Sequence, residues 1–175
     1  WLVYRGYTLI VPARFPELDS AVQSVLNQTT SKSDEPHKGA ALSAAVRNRL
    51  EEEMSSPFGW SVNDLWISPT RWLDNRANRQ RGTIFATRML MNFYPTHLAK
   101  YGAADAENPQ LKEAREKRFA FTEDSWWFPS TEGEYRKGIV SLNKYEADHL
   151  ENKAVFNMRS DDIYDLLVFI TGNQC

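Results

Sequence analysis

A chain of 175 residues with 42% apolar and 25% charged side chains has the size and mix of one globular domain, long enough to bury roughly two-thirds of its unfolded surface. A net charge of −2 and a pI near 6.0 argue against a protein that coats nucleic acid or an anionic membrane through bulk charge. The single cysteine, Cys175, ends the chain, which excludes an intrachain disulfide and leaves the redox compartment undefined.

Residues 1–15, WLVYRGYTLIVPARF, mix β-branched and aromatic residues with Gly6 and Pro12. They read as a short extended arm or as a juxtamembrane piece, since Trp1, Tyr4, Arg5 and Tyr7 form an aromatic and basic mix suited to a bilayer interface. No apolar run approaches the roughly 20 residues of a membrane helix. The chain starts at Trp1 and stops just after an apolar helical run, so truncation is expected at both ends of a single helical domain over 16–175.

Pro16 opens a first predicted helix to about Gln28, with Leu18, Ala21, Val22, Val25 and Leu26 on one face. After a polar loop, a second runs from about Pro36 to Met54 with a stripe of Leu42, Ala45, Val46, Leu50 and Met54. Glu51, Glu52 and Glu53 fan around that helix and read as a solvated face rather than a metal site.

Phe58–Asn75, FGWSVNDLWISPTRWLDN, is the segment around which the domain is organised. It holds Trp60, Trp66 and Trp72, three of the six tryptophans, among turn formers and Pro69. A third helix begins near Ala77–Arg81 and carries Ile84, Phe85, Met89, Leu90 and Met91 toward Tyr94, where Pro95 kinks or ends it. Gly102 stops a following turn, and Asn108-Pro109 restarts the chain as cap and first-turn proline of a short helix to about Lys117.

A second aromatic connector, FAFTEDSWWFPS at 119–130, carries Trp126 and Trp127. Thr131 and Glu134 have the spacing of a capping box for a helix with Tyr135, Ile139, Leu142, Tyr145 and Leu150 on one face. Its exposed interior glycine, Gly138, costs about 1 kcal/mol against alanine and suits close approach of an aromatic ring or backbone. Ser160 caps the last helix, with Asp161 and Asp162 in its first turn and Ile163, Leu166, Leu167 and Ile170 as its stripe. The expected fold is all-α, an irregular bundle of about six helices joined by two aromatic connectors.

His37, His97 and His149 lie far apart in the chain, and no metal-ligand pair, P-loop, dinucleotide turn or nucleophile elbow is present. No cofactor or metal is therefore expected. Asp64, Asp74 and Glu134 are the candidate catalytic carboxylates, able to divide acid and base roles as in glycan cleavage, or else to bond turn and cap amides. Arg71, Arg76, Arg79, Arg81 and Arg88 face one acid, Asp74, within 71–88, whereas 123–134 holds four acids and no base. The arginines either pair internally with the acidic connector or face outward toward phosphate, lipid headgroups or an acidic partner. Nucleic-acid binding through them is not favoured, and would be recognised by a steep salt dependence. The tryptophans likewise read as core pins or as an exposed binding patch. The candidate binding residues are Trp60, Trp66, Trp72, Arg76, Arg79, Arg81, Trp126 and Trp127.

Asn63-Asp64, Ile67 to Pro69, Leu73-Asp74-Asn75, Phe119 to Phe121, Asp124-Ser125-Trp126, Pro129-Ser130, Glu134-Tyr135 with Gly138, and Arg159 to Asp162 occur here in the order known from one bacterial family. Over roughly residues 42–168 the chain resembles the domain-of-unknown-function family 2333. It departs at Arg76-Ala77, where Met-Pro often follows the triplet, and at 100–109, where a Ser/Gln-rich linker is usual. The family has no established activity, so no catalytic residue carries over. The resemblance implies a protein anchored by an N-terminal span, its helical domain on the periplasmic side of a Gram-negative inner membrane. The expected role is non-enzymatic: binding of another envelope protein or scaffolding, with membrane contact through a span outside this chain and the oligomeric state open. The alternative is a peptidoglycan- or glycan-active hydrolase using the paired carboxylates. The two connectors are expected to pack together and fix how the helical halves meet.

Overall fold

The computed structural model describes residues 20, 23, 37–55, 59–64, 74–100 and 105–172. Among them the fold is all-α, with helices α1 (Lys38–Ser55), α2 (Asp74–Phe93), α3 (Pro109–Glu113), α4 (Thr131–Leu150) and α5 (Ser160–Gly172). The first predicted helix lies outside the described residues except for Ser20 and Gln23, both helical and exposed. The N-terminal arm, the loop at 29–36, Gly102 and Cys175 also lie outside them.

Local chemistry sets several helix ends. Asn108 Oδ1 accepts from the amides of Gln110 and Leu111, and Pro109 fills the first turn where its missing donor costs nothing. Pro95 does not end α2. The helix widens over Tyr94–Leu98 into a turn closed by Ala99 N–H to Tyr94 O at 3.1 Å, five residues apart. Thr96 Oγ1 donates to the carbonyls of Asn92 and Phe93, while the carbonyl that loses its four-residue amide donor to Pro95 is that of Met91. A similar wide stretch, Ala114–Phe119, extends α3.

The capping box at Thr131 is not formed. Ser130 is the cap, its Oγ accepting from Gly133 N–H, and Thr131 is the first helical residue. Glu134 instead pairs with Arg118 at 2.7 Å and Lys137 at 2.6 Å. Ser160 likewise opens α5 rather than capping it, and the Asp162 carboxylate accepts from Arg159 N–H at 2.7 Å.

One core joins Leu50 and Met54 of α1, Trp60 and Val62 of the first connector, Ile84 and Met91 of α2, Leu111, Phe119, and Tyr135, Ile139, Leu142 and Tyr145 of α4. α4 is the central element: α1, α3 and the wide 114–119 stretch all pack on it. The face that α1 turns inward is richer in small residues than its predicted stripe. Gly39, Ala40, Ala41 and Ala44 are buried with Leu50 and Met54, whereas Leu42, Ala45 and Val46 are only half-buried. Leu150, Phe85 and Leu167, each placed on an apolar stripe, are exposed.

Gly138 is buried, not exposed, and the expected close approach is real. A Cβ there would lie 2.6 Å from Phe119 Cε1. Gly138→Ala is expected to cost about 1–3 kcal/mol through overpacking, despite alanine's better helix propensity. Urea unfolding checks this, and an unchanged midpoint would mean that the Phe119 ring moves aside freely.

Candidate functional site

The first connector enters at Gly59, whose φ of +57° is the left-handed conformation that glycine adopts without strain. A Cβ there would also fall 2.6 Å from Glu132 Oε1. Two α2 side chains hold the turn: Arg76 Nη2 donates to Gly59 O at 2.6 Å and Gln80 Nε2 donates to the same carbonyl at 3.1 Å. Gln80 is fully buried, and its Oε1 accepts from Ser61 N–H at 2.8 Å.

From this held turn the first connector reaches the second. Trp60 is 1% exposed, with its ring edge-on to Tyr135 at 5.2 Å. Its indole N–H donates to Glu123 O at 2.9 Å, and its amide donates to the Glu132 carboxylate at 2.8 Å. Asn63 Nδ2 donates to Ser125 O at 2.9 Å. On the other flank, Arg88 of α2 donates to the carbonyls of Phe119 and Phe121, both at 2.7 Å, and to the Glu123 carboxylate at 3.3 Å. The connectors do pack together, and the contacts are mostly side chain to backbone. That is how irregular segments satisfy buried amides and carbonyls without a ladder.

The second connector closes on itself beneath its aromatic residues. Ser125 O accepts from Thr131 N–H at 3.0 Å and from Thr131 Oγ1 at 3.0 Å, in addition to Asn63. Ser125 Oγ donates to Pro129 O, and the Phe128–Pro129 bond is cis. The resulting tight loop carries Trp126, Trp127 and Phe128 outward at 55%, 70% and 92% exposure. The two indoles stand edge to face at 5.2 Å. Three consecutive large aromatics in water, on a backbone tied at both ends, form a ridge of preorganised apolar surface.

The predicted binding residues therefore separate. Trp60 is a core pin and closed to a partner, while Trp126 and Trp127 form the ridge. Trp66, Trp72 and Arg71 lie outside the described residues. Arg76 is buried against the Gly59 turn, and burial lowers its pKa. Arg79 pairs with Glu53 through two bonds of 2.9 and 3.0 Å. Arg81 is half-exposed, 3.8 Å from Glu123. The described arginines are thus largely engaged within the fold.

Of the three candidate carboxylates, Glu134 is committed to ion pairs with Arg118 and Lys137. Lys137 and then Arg118 hold the Glu134 carboxyl below its ordinary range, opposite to what a general acid needs. Asp64 lies in the first connector, half-buried, with its amide on Ser61 O. Asp74 opens α2, and its side chain lies outside the described residues. Among the described residues no three metal-ligating side chains converge, and no helix is long and apolar enough to cross a membrane.

Four features escaped the sequence reading. Glu53 is 1% exposed rather than solvated, enclosed by Arg49 and Arg79. Phe128 is the most exposed of the ridge aromatics. His37 and His149 meet across 112 residues. A groove of about 490 Å³ lies between α1 and α2, with Leu42, Val46, Ala86 and Leu90 on its walls. Of these only Phe128 had a usable signal, its place directly after two tryptophans.

Neither curated proteins nor solved structures give a match. A family model described as "Uncharacterized protein conserved in bacteria (DUF2333)" matches residues 7–172, nearly the whole chain and both connectors. The chain belongs to that bacterial family of uncharacterised proteins.

Proposed function

We propose that this is a non-enzymatic interaction domain of an envelope-associated bacterial protein, docked to another envelope protein through Trp126, Trp127 and Phe128. The observation that carries the reading is the outward exposure of three successive aromatics on a loop tied down by Ser125, Thr131 and Asn63. Such residues supply large contact area while losing little conformational freedom on binding. A protein partner fits better than an anionic bilayer, because Asp124 is exposed on the same connector and its charge repels anionic headgroups. The envelope setting, with attachment through a span outside this chain and the domain on the periplasmic side of the inner membrane, rests on the family resemblance. The hydrolase alternative is weakened by the ion pairs that keep Glu134 charged.

Changing Trp126, Trp127 and Phe128 together to serine is expected to alter stability by no more than about 1.5 kcal/mol, about 0.5 for each exposed position. A photo-crosslinker at position 127, used in intact bacteria, should give a discrete protein adduct. A crosslinker at exposed Lys112 should not. Adducts from both positions alike, or flotation of the domain with lipid vesicles through the same three residues, would overturn the protein-partner reading.

A further inference from the structure

The start of α1 meets the end of α4 through two imidazoles. His37 Nδ1 and His149 Nδ1 are 3.2 Å apart, and their rings stand edge to face with centroids 5.3 Å apart. The His149 ring is enclosed. Tyr145 and Phe156 lie against it at centroid distances of 5.9 and 6.2 Å, and a Cβ on Gly39 would come within 2.6 Å of it. His149 is 8% exposed, and its Nε2 has no hydrogen-bond partner among the described residues. His37 is only half-buried.

Counting protons shows what this geometry tolerates. Two neutral imidazoles carry two protons on four nitrogens. A favourable Nδ1 to Nδ1 contact needs one proton between the rings, because two facing lone pairs or two facing N–H groups repel. When His149 Nδ1 is the donor, the second proton sits on the Nε2 of His37 and the enclosed Nε2 of His149 stays bare; the opposite tautomer would bury an unpaired N–H at that Nε2 and is disfavoured. A third proton changes the balance. With one still between the rings, both Nε2 atoms must carry a proton, whichever ring is formally the cation. His149 then holds a buried N–H with no acceptor, in a pair that bears a positive charge.

The other ionisable groups nearby offer no relief. Tyr94 packs in from the wide turn after α2, donates to Gly39 O, and is kept protonated by burial. Tyr145 donates to Val155 O, and burial pushes its pKa up to about 12. Glu146, one turn before His149, is held by Arg47 of α1. Lys38 is exposed beside His37, Asp148 is half-buried beside His149, and Glu151 pairs with Lys153 in solvent.

We propose that the His37–His149 contact is a proton-operated latch that fastens the start of α1 to the end of α4 at neutral pH and releases it on acidification. Release frees the first turn of α1, where Ala41 N–H bonds His37 O, and the segment after α4 that bonds Leu98 O through Asn157. The convergence also resembles half of a metal site. A cation on both Nδ1 atoms, however, would drive the His149 proton onto the same enclosed Nε2.

Burial first, and then His37, lower the His149 pKa from its ordinary 6.5. The unfolded chain therefore binds more protons between those two values. The latch's contribution is complete above about pH 6.5, and it is lost as pH falls through that value and on through the lower folded one.

Imidazole NMR on the intact protein, with amide exchange at about pH 7.5 and 5.5 corrected for intrinsic rates, tests this. Expected are a His149 midpoint below 6.5 and a roughly tenfold loss of protection at residues 39–43 and 149–157 in acid, absent from His37→Asn. A midpoint at or above 6.5, unchanged protection in acid, or the same acid loss in His37→Asn would overturn the latch. Should His37→Asn fail to fold, the wild-type midpoint and exchange decide alone.

Discussion

Glu53→Ala is expected to lower the unfolding free energy by about 3–5 kcal/mol, the range for breaking one side of a buried ion pair. The carboxylate is 1% exposed. It takes two bonds from Arg79 at 2.9 and 3.0 Å and one from Arg49 at 2.6 Å. Removing it leaves two guanidiniums facing each other between α1 and α2 without the carboxylate they share. Both arginines retain about a third of their side-chain exposure, 33% for Arg49 and 29% for Arg79, which places the loss toward the lower end of that range. Urea unfolding of Glu53→Ala, Arg79→Ala and the double variant measures the coupling. The double variant should be much less destabilised than the sum of the singles. Additive losses would show that the pair is not energetically linked.

Trp60→Ala is expected to cost a similar amount, about 3–5 kcal/mol, for a different reason. It opens a cavity beside Tyr135 and also removes the indole donor from Glu123 O. Trp60→Phe separates the two contributions, since it keeps an aromatic ring in the core while orphaning the Glu123 carbonyl, at about 1–2 kcal/mol. Because that carbonyl belongs to the connector that carries the ridge, both variants should increase proteolytic nicking within 122–130 at temperatures where the helical signal is intact. A connector as resistant as wild type would mean that Ser125, Thr131 and Arg88 hold it without Trp60.

The behaviour of the acidic and basic clusters along the chain explains why some of this was legible in advance. The Arg-rich stretch after the first connector and the acid-rich second connector do meet, through Arg88 and Arg81 on Glu123. Opposite charge at domain scale survives any uncertainty of a few residues in register. Glu53 had no such signal. Its neighbours Glu51 and Glu52 are partly solvated, and only the angle at which α2 crosses α1 selects which of three consecutive carboxylates points inward.

The three described tryptophans divide by the same logic. The sequence left core pin and exposed patch both open, and Trp60 is enclosed while Trp126 and Trp127 are not. The difference lies in the backbone. Trp60 follows a left-handed glycine that turns it toward α4, whereas Ser125 and Thr131 close a loop that points its contents outward.

What the sequence determined by itself was local: the places of the helices, the Asn108 cap and the disruption at Pro95. Each depends on groups within about four residues. The tertiary structure alone decided the register of the α4 cap, the inward turn of Glu53, the meeting of His37 with His149 and the exposure of the aromatic ridge. Those depend on which helix faces cross, and residues 112 apart in the chain carry no mark of each other until the chain has folded back on itself.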